Sequence, residues 1–206
     1  QPCSTVIIFI ESSYTAIMPT KQVTYRPFRA LDSQDPEKLR AFLEEYEAKT
    51  GGDIMAIPHN GNISNGMMFQ LNTVSGEPVS EAWAQTRIKW EPLYEVTQVK
   101  GDGEAHPFLS PDDEFADYEN WDEDNIGRTV TKKNEMLQYE YGRSALKLGL
   151  KVEQELGTNP YEFGLLGSTD SHTTLSTADD DNFYGKFIDS EMVPKRMTDK
   201  MGDSLW

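Results

Sequence analysis

The chain has 206 residues and a formal net charge of −16, from 19 Lys and Arg against 35 Asp and Glu. This length suits one sizeable hydrophobic core, and the 37% hydrophobic content predicts a folded protein. The acidic surplus argues against nucleic acids and anionic membranes as partners, because clustered Lys and Arg bind both. A single cysteine, Cys3, excludes an internal disulfide bond.

The N-terminal part of the chain predicts strands followed by a helix. Residues 6–10 (VIIFI) form a β-branched and aromatic run that is typical of a buried strand, and residues 22–28 predict a second, short extended piece. Asp35-Pro36 then predicts a helix start, and Gly51-Gly52 predicts its end. Four apolar residues of this helix share one face: Leu39, Phe42, Leu43 and Tyr46.

The middle of the chain alternates in the same way. Residues 54–57 predict a strand that leads to Pro58-His59, and Ser80 is a candidate cap for a helix that runs to about residue 90. Residues 93–99 predict the next strand. The stretch from 101 to 131 is rich in Asp, Glu and Gly, and irregular segments of this length are usually functional or mobile.

The last predicted elements are one long helix over residues 134–156 and a strand over residues 163–166. Alternating strands and helices are typical of an α/β protein with mainly parallel strands. Four or five strands are fewer than a complete (β/α) barrel has. We therefore expect either part of such a barrel or a smaller open sheet.

All three histidines follow predicted strands. His59 and His172 come directly after strands, and His106 lies a few residues beyond the strand that ends near residue 99. The C-terminal ends of parallel strands lie on one side of a sheet and form active sites there. This placement indicates a functional cluster, because histidines scattered over a surface would show no such bias.

The sharpest motif is Asp170-Ser171-His172. Alternate residues of an extended segment project the same way, so the carboxylate and the imidazole can converge on one metal ion or on adjacent ions. Oxygen and nitrogen donors together suit zinc, manganese or iron. The motif is short and recurs by chance, and an Asp that caps a turn beside an exposed His is the alternative interpretation.

Other polar residues are candidates for the same site. His59 can point into a cleft, or it can be a packed histidine that a backbone hydrogen bond fixes. Glu95 lies on a predicted strand and faces either inward, as a ligand or base, or outward. Asp102, Glu104 and His106 form a polar cluster that completes the site, binds substrate or is simply a hydrated acidic loop.

A bound metal ion lowers the pKa of its water to near 7, so hydrolysis needs no nucleophilic Ser or Cys. The sequence contains no G-x-S-x-G motif, no phosphate-binding P-loop and no dinucleotide-binding glycine fingerprint. The acidic runs at residues 112–114 and 179–181 lack the spacing of an EF-hand, and we interpret them as surface or helix-start acids.

Three ordered blocks carry a family resemblance: IPHNGN, EVTQVKGDGEAHPFLSPDDEFADYE and GLLGSTDSHTTLST. Together they resemble domain of unknown function 3604, which is similar to the polymerase-and-histidinol-phosphatase (PHP) superfamily of metal-dependent phosphoesterases. The likeness runs over residues 28–186. It implies a distorted (β/α)7 barrel with two or three metal ions at the strand ends. The expected fold is therefore a partial PHP-like barrel, formed as a single domain over residues 1–206 without the barrel's first strands.

The resemblance also implies ligands. His59 corresponds to a metal-binding His on a middle strand, and Asp170 and His172 correspond to the final Asp-x-His pair. Cys3 stands about where related sequences carry a His, and a cysteine thiolate binds zinc. The opening His-x-His motif of the superfamily and its metal-bridging glutamate are not found. We expect either an excerpt of a longer enzyme or a degenerate relative.

Three functional hypotheses follow. The first is a metal-dependent hydrolase of a small-molecule phosphate ester, with Glu104 or His106 assisting proton transfer. The second is a non-catalytic remnant that assembles as a homo-oligomer, because a barrel with missing strands exposes apolar surface and open edges. The third, a calcium-stabilised extracellular module, depends only on the acidic loops.

Overall fold

The computed structural model describes residues 5–10 and 14–19 by their backbone, and residue 28 and residues 32–170 with their side chains. In chain order the elements are β1 (Thr5–Ile10), β2 (Tyr14–Pro19), α1 (Pro36–Thr50), β3 (Met55–Pro58), α2 (Glu81–Trp90), β4 (Leu93–Gln98), β5 (Gly101–Asp102), α3 (Asn134–Leu137), α4 (Gly142–Leu156) and β6 (Gly164–Gly167). In the described ranges no helix is both long and apolar enough to cross a membrane.

The strands form two three-stranded sheets, ordered β1-β2-β3 and β5-β4-β6. In the first sheet both pairings are antiparallel, with Ile10 opposite Tyr14 and Ile17 opposite Met55. In the second sheet β5 is antiparallel to β4, and β6 is parallel to β4. The two sheets meet where β3 approaches β4.

The expected fold, a partial distorted (β/α)7 PHP-like barrel with mainly parallel strands, is therefore wrong. Three of the four strand pairings described are antiparallel, and the protein is a small mixed α/β fold. The physical reason is the length of the connection between β1 and β2. A link of three residues permits only an antiparallel return, because a parallel crossover needs a dozen residues or more. The β2 strand was also missing from the predicted elements.

The predictions for individual elements are mostly confirmed. Helix α1 begins where expected, with the Asp35 carboxylate accepting a hydrogen bond from the Glu37 amide at 2.9 Å. Helix α2 begins with the Ser80 hydroxyl accepting from the Trp83 amide at 3.2 Å. The strands expected at 54–57, 93–99 and 163–166 are β3, β4 and β6, each within about a residue of its expected bounds. Apart from Phe28, the extended piece expected at 22–28 lies outside the described residues.

The long helix expected over residues 134–156 is divided into α3 and α4. The Gly142 and Arg143 amides donate to the carbonyls of Gly103 and Glu104, at 2.7 and 2.9 Å, instead of to the preceding helical turn. The Tyr139 carbonyl accepts from the Phe69 amide at 2.9 Å. Tertiary hydrogen bonds thus replace helical ones over residues 138–141, which explains the break.

Two apolar clusters support the strand ends. The first lies between α1, β3 and α2, and it consists of Leu39, Leu43, Tyr46, Ile54, Ala56 and Trp90. The second lies under β4 and α4, and it consists of Met68, Phe69, Tyr94, Ala145 and Tyr161. Burial of each large side chain in these clusters contributes about 1.5–3 kcal/mol to folding. The clusters fix the positions from which β3 and β4 lead into the loops described next.

A buried ionic cluster joins the first two helices. The Glu91 carboxylate contacts Arg40 Nε at 2.7 Å and Arg87 Nε at 3.0 Å, and all three residues are buried. Both guanidinium groups also lie over the Trp83 ring, 4.9 and 5.4 Å from its centre. This cluster fixes α1 against α2, because the Glu91 carboxylate is the counterion of a buried arginine from each helix, and its removal would leave both without it.

Candidate functional site

The loop after β3 carries the first predicted ligand. His59 follows Pro58 directly and is only 7% exposed, and its Nδ1 lies 3.4 Å from the Ile57 carbonyl oxygen. Asn60 adopts the left-handed conformation, with φ of 57°, and a short 3-10 helix (Gly61–Ile63) follows it. Left-handed backbone is uncommon outside glycine and often marks a functional turn, and Asn is one of the residues that tolerate it.

Side-chain hydrogen bonds connect this loop to the end of β4. Gln98 Nε2 donates to Asn60 Oδ1 at 2.6 Å, and Asn62 Nδ2 donates to the Lys100 carbonyl at 3.0 Å. Gln98 Oε1 also accepts from the Lys100 amide at 2.8 Å. The exits of β3 and β4, which belong to different sheets, are therefore fixed against each other.

The segment after β6 carries the second predicted ligand and lies beside the same strand end. Asp170 forms an ion pair with the Lys100 ammonium group, and its backbone is left-handed, with φ of 54°. Nearby, the Ser168 amide donates to the Thr97 carbonyl at 3.0 Å, and the Ser168 hydroxyl donates to Glu95 at 2.6 Å. Three strand exits thus meet at the C-terminal end of β4.

Glu95 is the acid on β4 whose orientation the sequence left open. Burial raises the pKa of its carboxyl group above the usual range, and the nearby Asp170 carboxylate adds to this effect. The hydrogen bond from Ser168 and the charge of Lys100 act in the opposite direction. Glu95 therefore faces this junction and is electrostatically coupled to it.

Only part of the predicted metal site lies within the described residues. Cys3 and His172 lie outside the described residues. Among the residues that the structure describes, no three His, Cys, Asp or Glu side chains are grouped so that they could hold a metal ion. The segments of His59 and Asp170 follow β3 and β6, and both are connected to the end of β4. A metal site that includes His172 and Cys3 stays a prediction.

The two predicted proton-transfer residues, Glu104 and His106, share a cleft of about 260 Å³. It lies between the loop after β5 and the start of α4, and its lining is polar apart from one Leu and one Ala. The remaining lining residues are Ala105, Leu109, Ser110, Gln138, Tyr141, Arg143, Ser144 and Lys147. The Tyr141 hydroxyl is buried, with no hydrogen-bond partner in the described structure. The cleft has the size and chemistry to take a small polar group.

Hydrogen bonds fix the His106 imidazole at both of its ring nitrogens. Nδ1 accepts from the Phe108 amide at 3.0 Å, so the ring proton is on Nε2, which donates to Asp122 at 2.8 Å. Burial would raise the pKa of Asp122, but the hydrogen bond and charge of His106, with the charge of Lys132, lower it overall. The His106 ring is therefore held in one tautomer, with both of its nitrogens engaged.

Arg143, at the start of α4, organises the acidic side of the cleft. One of its amino groups contacts Glu104 Oε1 at 2.8 Å, and the other contacts Asp113 Oδ2 at 2.5 Å. These two acids raise the pKa of the guanidinium group, and the hydrogen bond from Arg143 lowers that of Asp113. Glu104 is therefore held as an ion-paired carboxylate at the mouth of the cleft.

Sequence reasoning missed the residues that connect the site, namely Gln98, Lys100, Asn62 and Arg143. One available signal was the run Gln98-Val99-Lys100-Gly101 directly after a predicted strand, because polar residues at strand ends are site candidates in α/β folds. Arg143 gave no such signal, since it lies within what appeared as the interior of one long helix.

Comparison with known proteins agrees with the motif-based resemblance at the level of the family. Residues 13–205 match the family described as "Protein of unknown function (DUF3604)". Neither the search of curated proteins nor the search of solved structures gives a match. The match includes the loops of His59 and Asp170 as well as the cleft of Glu104 and His106. This chain belongs to the DUF3604 family.

Proposed function

We propose that the chain carries part of the site of a metal-dependent hydrolase whose substrate is a small-molecule phosphate ester. The observation that supports this most is the junction of three strand exits. The Asn60–Gln98 and Lys100–Asp170 contacts connect the loops after β3, β4 and β6. The loops that carry the His59 imidazole and the Asp170 carboxylate are both connected to the end of β4, and strand ends are where metal sites of α/β enzymes form.

The donor chemistry of the described residues fits a divalent ion. His59 Nδ1 contacts a backbone carbonyl, which fits a ring whose proton is on Nδ1. In that tautomer Nε2 carries the lone pair, and this is the form that binds metal. Together with the Asp170 carboxylate it forms a mixed N/O set that suits zinc, manganese or iron. His172 and Cys3 are the further ligands that we propose.

We propose roles for the cleft on the same basis. A bound metal ion supplies hydroxide near neutral pH from its water. Glu104, oriented by Arg143, exchanges a proton with the reacting group, and His106, held in place by Asp122 and the Phe108 amide, assists that transfer. A kinship to the PHP phosphoesterases is proposed from the motifs IPHNGN and GSTDSH, without the barrel.

The decisive experiment measures metal binding and hydrolysis on the same samples. Mn²⁺ and Zn²⁺ are titrated by calorimetry into the wild type, His59→Ala and Asp170→Asn, with the exposed Asp112→Asn as the matched control. We expect the two site variants to bind metal at least about tenfold more weakly and the control to be unchanged. Hydrolysis of a panel of phosphate monoesters and diesters is then measured with metal-loaded protein. A wild type that binds metal but hydrolyses no ester contradicts the proposal, and so does equal metal affinity in all variants.

A second function, a non-catalytic homo-oligomer, is favoured by one observation. Three leucines on the last described elements are exposed: Leu146 by 36% and Leu150 by 64% on α4, and Leu165 by 46% on β6. Apolar surface of this kind favours contact with another copy. Light scattering after size exclusion tests it, and a monomer at high protein concentration excludes this assembly.

A further inference from the structure

We infer that Lys100 binds an anionic oxygen of the substrate's phosphate group, and that its ion pair with Asp170 holds the ammonium group ready in the site. This inference rests on the proposed function, and it adds a specific binding residue to it. Neither the motif of metal ligands nor the family match assigns a role to Lys100.

The backbone of Lys100 is fixed from two sides. Its amide donates to Gln98 Oε1 at 2.8 Å, and its carbonyl accepts from Asn62 Nδ2 at 3.0 Å. Asn62 belongs to the loop that begins at His59, and Gln98 is the last residue of β4. Two side chains from different strand exits are thus used to position one lysine, which a lysine of the solvated surface would not require.

The side chain of Lys100 extends into the junction of the three strand exits. Its ammonium group contacts Asp170 Oδ2, and the two side chains are 19% and 7% exposed. Lys100 also acts electrostatically on Glu95, the other carboxylate at this junction. A positive charge therefore lies near two acids at the end of β4, in contact with the proposed ligand Asp170.

The positive charge of Lys100 would offset the repulsion between this acidic protein and a phosphate anion. The protein has a net charge of −16, and Glu95 and Asp170 repel a phosphate anion. Once Asp170 shares its charge with a metal ion, the flexible lysine stem lets the ammonium group turn to a phosphate oxygen nearby. Arg143 is less suited to this task, because Glu104 and Asp113 already engage both of its amino groups.

A purely structural ion pair is the competing explanation, and the two differ in what removal of the charge does. Loss of a structural Lys100 would leave Asp170 misplaced, so that metal and phosphate binding would weaken together. Loss of a phosphate-binding Lys100 weakens phosphate binding alone. Metal binding then stays equal or becomes tighter, because the ammonium group no longer competes for the carboxylate.

The test compares wild type, Lys100→Met and Lys100→Arg, with Lys151→Met on the exposed face of α4 as the control. Mn²⁺ affinity is measured by calorimetry, and binding of inorganic phosphate to the Mn²⁺-loaded protein by broadening of its phosphorus NMR line. For Lys100→Met we expect phosphate binding about tenfold weaker or worse, with Mn²⁺ affinity maintained. Lys100→Arg keeps most of the phosphate binding, and Lys151→Met behaves as wild type.

Two results would overturn the inference: equal phosphate binding in wild type and Lys100→Met, or parallel loss of Mn²⁺ and phosphate in Lys100→Met. A wild type that binds no Mn²⁺ is a different result, because it contradicts the proposed function itself. In that case phosphate is titrated without metal, and equal binding by the two proteins overturns the role of Lys100 as well. Thermal melting of each variant shows that the fold is retained.

Discussion

Lys132 and Glu140 form an ion pair in the protein interior, with Nζ 3.4 Å from Oε2 and with side chains that are only 5% and 1% exposed. Lys132 also donates to the carbonyls of Asn62 and Trp121, and Glu140 Oε1 accepts from the Gly66 amide at 2.9 Å. One buried pair therefore joins the loop after β3 to the irregular segment and to the residues before α4. This pair stabilises the position of the loop that begins at His59.

We expect Lys132→Met to lower the free energy of unfolding by about 3–5 kcal/mol, because it leaves a buried carboxylate without its counterion. Urea denaturation measures this change. The exposed neighbour provides the control, and Lys133→Met should change the free energy by less than about 0.5 kcal/mol. The double variant Lys132→Met/Glu140→Leu should recover part of the loss. A Lys132→Met protein as stable as the wild type would show that the pair is not formed.

The pH dependence of stability should contain a contribution from Asp122. Its pKa in the folded protein lies below the ordinary value of 3.8, so between these two values the unfolded chain binds more protons than the folded one. Stability from Asp122 is then fully present above pH 3.8 and is lost as the pH falls through the folded pKa. In Asp122→Asn, the melting temperature should fall less steeply than in the wild type as the pH is lowered below 3.8. An unchanged slope below pH 3.8 would contradict the His106–Asp122 contact.

Glu140 should contribute to the pH dependence with the opposite sign. Burial raises its pKa above the ordinary value of 4.5, and the charge of Lys132 opposes this only in part. Between these values the folded protein binds more protons, so this contribution to stability decreases as the pH rises above 4.5. In Glu140→Gln the melting temperature should rise more steeply with pH just above 4.5 than in the wild type. The same slope in both proteins would mean that Glu140 is not desolvated.

Gly61, two residues after His59, leaves no room for a side chain. A Cβ atom there would lie 2.6 Å from the Glu140 carbonyl oxygen and against the Tyr94 hydroxyl. We expect Gly61→Ala to cost about 1–3 kcal/mol of stability by overpacking, measured by urea denaturation. Gly127→Ala is the matched control, since its nearest atoms would be 3.7 Å away or more. If Gly61→Ala and Gly127→Ala are equally stable, Gly61 does not pack against Tyr94 and Glu140 as described.

Gln98 offers a test of the proposed metal site that leaves the ligands unchanged. Gln98→Leu removes the bond to Asn60 and the support of the Lys100 amide, so the His59 loop loses one of the side-chain hydrogen bonds that connect it to the end of β4. If the proposed metal site forms, we expect Mn²⁺ affinity to fall by about tenfold, as is typical when a residue that orients metal ligands is lost. Gln85→Leu on the exposed face of α2 should have no effect. Undiminished affinity in Gln98→Leu would show that the junction is not needed for metal binding.

The elements of this fold could largely be predicted from local sequence, whereas their arrangement could not. Asp35, Ser80 and the apolar periodicity of α1 act within a few residues, so their consequences are visible in any window of that length. The antiparallel β2 strand and the division between α3 and α4 depend on partners far along the chain. The Arg143 amide bonds to Glu104, 39 residues earlier in the sequence, and no local pattern announces that bond.

The sequence by itself determined the strand and helix types, the placement of histidines after strands and the family motifs. Only the tertiary structure decided that strand pairing is mostly antiparallel, and that Gln98, Lys100 and Asn62 connect the loops of His59 and Asp170. Propensities and caps are local energies, which a short stretch of chain expresses alone. Strand direction and side-chain pairing are set by which distant surfaces bury each other, and that becomes definite only when the whole chain packs.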